Sequence, residues 1–546
     1  MRQPSNDFAD RSLRPPEPDG GVLVEPPWET VGELVAANTA SFAPPDAPGE
    51  AAWLSALRPT ARRELLSAAH AYTSAYRDAP RPNPGAERLI FLAGHQPQLF
   101  HPGVWLKQFA LGALARRHGA VAINLVIDGD EAQPPVLAVP AGSIDQPRRE
   151  TIPYDRAAES MAYEERRVVD RERFVGFGRV VAERIRPLVR EPLIQTYWPL
   201  VVARLSEEDR LGACLAQARH QLEGLWGLDT LELPQSRVCD LPSFQRFMLM
   251  LLSRLPAFHA VYNRALGEYR RERRIRGAAR PVPDLARHDD WLESPFWAWT
   301  ADDPRRRRLF ARRVGGELWL GDETGRRWAL PDDERTGRDG SPEVFDALRR
   351  EGVTIRSRAL VTTLWARLVL GDLFVHGIGG AKYDRVTDRI IREFFGVAPP
   401  GFLVVSGTLR LPIELPPVDK DEPRRLRQAM RELTYHPERF LDPAHCDGAP
   451  AKAEAAALVA EKARWICAAP TREDARGRCR AIRRINAALQ PWVAGQRAEL
   501  ERREGELLGA IRARAVFGWR EYAFCLHPER RLREFLGGLL PGADGI

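Results

Sequence analysis

Between Leu89 and Glu131, short apolar runs and polar turns follow one another in the order of a strand, a loop, a helix and a second strand. Leu89 to Ala93 is apolar and stops at Gly94, the pattern of a buried strand entering a turn. Pro102 suits the first turn of a helix, where its missing N–H is no loss, and Val104, Trp105, Phe109, Leu111 and Leu114 follow at helical spacing. Arg116, Arg117 and His118 then put positive charge in the last turn, and Gly119 stops the helix. The second apolar run, Ala120 to Ile127, ends abruptly at Asp128. Parallel strands joined by a helix cross over right-handedly, so both carboxyl ends open on one sheet edge, where α/β proteins bind ligands. The pattern therefore gathers Gly94, His95, Gln96, Gln98, His101, Lys107, Asp128, Asp130 and Glu131 at a candidate small-molecule site. The alternative is that the acids are ordinary turn residues and the histidines fill space.

A second unit of this kind lies between Leu360 and Arg410. Residues 360 to 370 are apolar and read as helix, Leu373 to His376 as a short strand, and Gly377 to Asp384 as a glycine-rich loop. A helix through Val386, Ile390, Ile391 and Phe394 and a strand from Phe402 follow. Gly377, Gly379 and Gly380 free the backbone to turn and expose amides, and a following helix start favours an anion. The spacing Gly-x-Gly-x-x-Lys is neither the dinucleotide fingerprint nor a Walker A loop. Lys382, Tyr383 and Asp384 complete this second set of candidates, which a plain tight turn would also explain.

The middle of the chain carries a long helical pattern from Met248 to Leu285, with His259, Asn263 and Tyr269 on its polar side. Alternating aromatic and β-branched residues then read as a small antiparallel sheet, in which Phe296, Trp297 and Trp299 form its core or line a pocket. From Glu422 onward helices dominate. Val493, Leu500 and Leu507 recur every seven residues, Leu508 and Ile511 add a second row, and Pro491 bends this stretch or opens its last segment. The helices either pack on their own domain or form a dimerisation arm. The layout is a lead-in over 1–85 with a flexible start, two halves of an α/β core at 86–240 and 351–420, an inserted α+β region at 241–350, and a helical region at 421–546. The core reads as a nucleotide-binding, Rossmann-like parallel sheet, and the tail as coiled-coil-like.

Composition narrows the function classes. With 44% hydrophobic and 28% charged residues the 546-residue chain is an ordinary globular protein of several domains' length. No run of about 18 apolar residues occurs, so a cytoplasmic protein without a membrane partner is expected. The net charge of +7 is dispersed; runs such as Arg305 to Arg308, and Arg270, Arg271, Arg273, Arg274 and Arg276, are either anion contacts or, in preference, solvated faces, and no nucleic-acid-binding signature accompanies them. Six cysteines, at 214, 239, 446, 467, 479 and 525, form no CxxC pair and read as inert thiols; no regular ligand spacing calls for a metal. HExxH and GxSxG are absent, as is the kinase set. Of 81 basic residues only Lys107, Lys382, Lys420, Lys452 and Lys462 are lysine. In so arginine-rich a chain, a lysine persists most readily where a compact ammonium has no substitute.

The order of elements resembles the bacillithiol-biosynthesis cysteine-adding enzymes, the BshC family, in which a nucleotide-fold core with insertions carries a C-terminal helical coiled coil. The family's Gly-Gln-Gln-x-Gly-Leu loop is matched here by Gly94, Gln96 and Leu99, while His95 and Gln98 depart from it. Its acidic Glu-Asp-His-Asp run is replaced by Asp130, Glu131, Ala132 and Gln133. Its Gly-Gly-x-Gly-Glu loop is echoed by Gly379 and Gly380, with Lys382 and Tyr383 where glycine and glutamate would stand. The resemblance implies ligation of cysteine, or a related amino compound, to a glucosamine–malate type of sugar acid through an amide in low-molecular-weight thiol biosynthesis. It leaves the cofactor open, a nucleotide such as ATP or ADP being the candidate. In such chemistry His95 or His101 would be the base, Asp128, Asp130 and Lys382 the other catalytic candidates, and Lys107 and the loop amides the cradle for negative charge. Alternatives are a non-catalytic protein binding a nucleotide or anionic metabolite, an oligomeric scaffold built on a homodimer of the C-terminal helices, and a transferase of the WbqC-like family, which the opening His95-Gln96-Pro97 also resembles.

Overall fold

The computed structural model describes residues 13–42, 49–79, 88–277, 282–330, 343–441, 449–468 and 475–538. The chain's first twelve residues and Cys446 lie outside them. The chain divides into one unit of Met1–Val139, Thr151–Leu411 and Arg520–Ile546 and a second of Pro140–Glu150 and Pro412–Trp519.

The first unit is built on a six-stranded sheet. Its strands are β1 (Val22–Glu25), β2 (Ile90–His95), β3 (Val121–Val126) and β4 (Leu231–Pro234). An inserted antiparallel sheet follows, with β5 (Trp291–Thr300), β6 (Asp303–Val314), β7 (Glu317–Asp322), β8 (Arg327–Leu330) and β9 (Val353–Ser357) in the order β8-β7-β6-β5-β9. The chain then returns to the first sheet through β10 (Leu373–His376) and β11 (Leu403–Gly407), giving the order β1-β11-β10-β2-β3-β4. Every neighbouring pair is parallel except β1 with β11. Chain order therefore runs outward from β2 through β3 to β4 on one side and from β10 to β11 on the other. The reversal falls between β2 and β10, where such sheets open a crevice at their carboxyl ends.

Alternation along the strands separates two faces. Ile90, Leu92, Ile123, Leu125, Leu231 and Leu233 pack into one core cluster with Leu54, Leu57, Ala61 and Leu65 of α1 (Glu50–Ser74). The other face carries α2 (Pro102–His118), whose terminal His118 meets Phe91 edge-on at 5.9 Å. Layers on both sides leave α2 buried nearly all round, from Pro102 to Ala115. Polar groups on this face are tied together. Trp105 Nε1 and Arg219 donate to Glu223 Oε1 at 2.5 Å each, Arg219 also pairs with Glu232, and Asn124 Nδ2 donates to Glu232 at 2.6 Å. Buried charges persist only when so paired.

Several expectations change. The helical pattern from Met248 forms two helices, Pro242–Ser253 and Leu255–Glu272, because Pro256 cannot donate within a continuing helix and starts a new one. Gly377 to Asp384 is not a loop: α3 (Ile378–Ile390) begins directly after β10, with Gly377 as its N-cap. β1, in the lead-in segment, is a full edge strand, with Val22 opposite Gly407 and Glu25 opposite Val404.

The second unit holds helices Glu422–Tyr435, Ala449–Cys467, Ala475–Leu489 and Ala494–Phe517, the last preceded by a 3-10 turn at Gln490–Val493 that contains Pro491. Val493 and Leu507 are buried, whereas Leu508 and Ile511 are exposed. Among the described residues no helix is long and apolar enough to cross a membrane.

Candidate functional site

A cavity of about 650 Å³ opens at the carboxyl ends of the parallel strands, with His95, Ile127, His376 and Ser406 from four strand ends on its wall. That volume suits a metabolite-sized ligand. Of the residues singled out in the sequence, it brings together Gly94, His95, Gln96, His101, Lys107, Asp130, Gly377, Gly379, Gly380, Lys382, Tyr383 and Asp384. Asp128, Gln98 and Glu131 are not on the wall.

The first wall follows from β2 and α2. His95 is the last residue of β2, and its buried Nδ1 has no hydrogen-bond partner. His101 caps α2, its Nδ1 accepting from the Gly103 N–H at 3.1 Å. One turn further, Lys107 is 6% exposed and donates its ammonium to the Gly94 carbonyl at 2.9 Å. Burial lowers the basicity of all three. Lys107 falls to about 8 and His101 to about 4, the latter also under the charges of Arg520 and Lys107. Burial, followed by the charges of Lys107 and His101, holds His95 well below its ordinary value. The histidines are therefore neutral at pH 7. Lys107 keeps its charge at pH 7, and with Arg306, Lys382 and Arg520 on the same wall it favours an anionic occupant.

The acidic residues are engaged. Asp128 accepts from Ser236 N at 2.8 Å and Ser236 Oγ at 2.6 Å, which anchors the short helix Gln235–Cys239. Burial pushes its carboxyl above the usual range despite these bonds. Asp130 accepts from Gln96 Nε2 at 2.9 Å and from Arg306 at 2.8 Å. Glu131 takes Arg306 at 3.3 Å and the Ser160 hydroxyl, and Gln98 accepts from the Tyr163 hydroxyl at 3.4 Å.

The second wall is the start of α3. Ile378, Gly379 and Gly380 line the cavity, and the first amides of a helix have no partner within it. Behind them His376 Nε2 lies 2.5 Å from Asp384, which also accepts from the buried Arg367 at 2.9 Å. Burial alone would raise the Asp384 carboxyl, but His376 and Arg367 outweigh it and leave it below its ordinary value. Gly380 is required here because a Cβ would stand 2.6 Å from His376 Nδ1. Lys382 and Tyr383 are exposed at the rim.

Sequence reasoning missed Arg306, His376, Ser406, Gln235 and Arg520 as wall residues. His376 was signalled by its place at a strand end before Gly377. Arg306 carried one weak signal, the run Arg305 to Arg308 as an anion contact, and Arg520 carried none, since it arrives from the far end of the chain. The run containing Arg306 is no free basic face: Arg305 and Arg307 bond to Asp303 at 2.6 and 3.1 Å, and Arg308 to Glu323 at 2.7 Å. Phe296 and Trp299 are buried in the inserted sheet and Trp297 lies beneath Arg306 and Arg358, so the aromatic cluster does not line the cavity. Among the described residues no set of three or more His, Cys, Asp and Glu side chains comes together for a metal ion. No protein-family model and no curated protein matches this sequence.

Proposed function

We propose that the chain is an enzyme whose cavity binds a small anionic substrate and whose reaction is carbon–nitrogen ligation, joining cysteine or a related amino compound to a sugar acid. The observation that carries this reading is the convergence of His95, His101, Lys107 and the first turn of α3 on one cavity at the strand reversal. The same strand order supports a Rossmann-like, nucleotide-binding type of core, and the partial match to BshC motifs supports the reaction class.

In this reading the incoming amine attacks a carboxyl activated by ATP as an acyl phosphate or acyl adenylate: the C–N bond forms as the acyl C–O bond breaks, phosphate or AMP leaves, and the amine gives up a proton to the base. His95 lines the cavity and its imidazole is neutral, the charge state from which a general base acts. The developing oxyanion would meet the Lys107 ammonium and the amides of Ile378 to Gly380, donors that are fixed before reaction. ATP is the co-reactant to test for activating the carboxyl. The homodimer reading of the C-terminal helices is supported by exposed Leu508 and Ile511.

One observation favours a second reading, a metabolite-binding protein without turnover: both oxygens of Asp130 are already engaged, so the acidic run offers no free carboxylate base. Incubation of the pure protein with glucosaminyl-malate and cysteine, with and without ATP, separates the two by product mass. A thiol conjugate that disappears in Lys382→Ala supports ligation. Tight binding of the sugar acid without product supports the second reading and removes ligation.

A further inference from the structure

Ligation to an amine requires two proton transfers, and a single base accounts for one of them. An α-amine, with an ordinary value of about 7.7–8.0, is mostly ammonium at pH 7. It must lose one proton before its nitrogen can attack and a second as that nitrogen becomes an amide. Burial, and then the charges of Lys107 and His101, oppose a proton on His95. That suits His95 to the second proton, which attachment to the acyl group has already made acidic.

His376 stands in the opposite kind of field. It is the last residue of β10 and lies on the cavity wall. Its Nε2 meets Asp384 at 2.5 Å, and the same carboxylate oxygen accepts from Arg367 at 2.9 Å. Arg367 is itself fixed by Asp388 at 2.7 Å and by the Pro400 carbonyl, so the carboxylate has no room to swing away. Burial alone would raise Asp384, but His376 and Arg367 outweigh it and keep the group ionised. The His376 ring packs on Phe374 with centroids 4.4 Å apart and meets Phe402 edge-on at 5.0 Å. A carboxylate on one imidazole nitrogen fixes the tautomer, so the proton sits on Nε2 and Nδ1 carries the lone pair. Nδ1 is turned toward Gly380, a wall residue at which a Cβ would stand 2.6 Å away. Glycine leaves the nitrogen uncovered on that side.

We propose that His376, oriented by Asp384 and Arg367, is a second base of the cavity and takes the ammonium proton of the incoming amine, a step that rests on the ligation reading above. The proton moves from the amine to His376 Nδ1, and the electron pair left on the nitrogen forms the C–N bond. The ring is then an imidazolium held against Asp384, and it returns its proton to solvent after the product leaves. His376 is the catalytic residue of this step; Asp384 and Arg367 position it.

Two measurements on the full chain test this, the first without turnover. Diethyl pyrocarbonate acylates an accessible, neutral imidazole nitrogen. Peptide mass mapping of the folded protein should find His376 labelled, and Gly380→Ala, which sets a methyl against Nδ1, should slow that labelling tenfold or more. An unlabelled His376 in the folded wild type, or equal labelling of the two proteins, overturns the proposal. In the ligation assay, His376→Ala should lower kcat by a factor of about 10² to 10⁴ while KM for the sugar acid stays within about threefold. Added imidazole should restore that activity at least tenfold, which a loss of packing alone would not allow. Asp384→Asn should lower kcat at least tenfold, again at little cost in KM. Wild-type turnover by a folded His376→Ala, or a loss that imidazole does not restore, overturns the proposal and leaves ligation standing. A labelled His376 without any conjugate from the wild type removes the ligation reading and leaves the base.

Discussion

The Lys107 ammonium donates to the Gly94 carbonyl across 2.9 Å, linking the middle of α2 to the end of β2 and placing a cation beside His95 and His101. Lys107→Met keeps an unbranched side chain and removes the charge. Both histidines should then titrate at higher pH by NMR, and anion affinity should fall at least tenfold. Lys107→Arg should lose affinity as well, because a planar fork does not replace a buried point charge. Unmoved histidine titrations would show that Lys107 does not set the field of the cavity.

His95 lines the cavity with a neutral imidazole and is a base candidate of the proposed reaction. If ligation is the reaction, His95→Ala should lower turnover by a factor of about 10² to 10⁴ with little change in melting temperature. An unchanged rate in a folded variant would take His95 out of the mechanism.

Asp128 has both oxygens on Ser236. Asp128→Ala should cost about 1–2 kcal/mol in urea unfolding, as loss of a helix-start acceptor does. Its effect on binding of a saturating anion should be small. A large loss of turnover at unchanged stability would instead return Asp128 to the chemistry.

Gly103 has room for no side chain, since a Cβ would meet the Gly407 carbonyl. Gly103→Ala should cost about 1–3 kcal/mol through forced movement of α2 against β11. Gly379→Ala is the control, because nothing lies within 4 Å of a Cβ there. Equal stability of the two variants would refute this packing account.

His101 and the fully buried His527 are held to about 4 and about 3, below an ordinary 6.5, chiefly by burial. A base whose folded value is depressed contributes stability that is complete above 6.5 and is lost as pH falls toward the folded value. The urea midpoint should therefore drop between pH 6.5 and 4. His101→Asn keeps a capping acceptor for Gly103 and removes one titration, so its midpoint should drop less over that window. Identical pH profiles would exclude His101 as a source.

Local chemistry made part of the site legible. The sequence predicted a helix between Pro102 and Gly119, and α2 spans Pro102–His118 with Gly119 in the left-handed region at φ 63°. Proline at a helix start and glycine after its end act within a few residues of themselves. Strand β10 matches its expected span, Leu373–His376. The start of α3 was misread because three glycines signal a turn as readily as a helix N-terminus packed against a histidine. β1 went unread because four residues carry little pattern and its partner β11 lies some 380 residues away. Of the five lysines, Lys107 is buried on the cavity wall, while Lys462, for which its alanine-rich helix suggested no functional role, is also buried and donates to the Tyr435 carbonyl at 2.8 Å.

By itself the sequence determined what short-range physics determines: the strand–helix–strand unit, its caps, and the clustering of His95, Gln96, His101 and Lys107 within thirteen residues. Tertiary structure alone decided that the two glycine-bounded segments face one another across the strand reversal. It alone brought Arg306 from the inserted sheet and Arg520 from the end of the chain to the same wall. Periodicity and capping depend on neighbours along the chain, whereas a shared cavity depends on strand order and on which faces bury one another, and no window of residues contains that information.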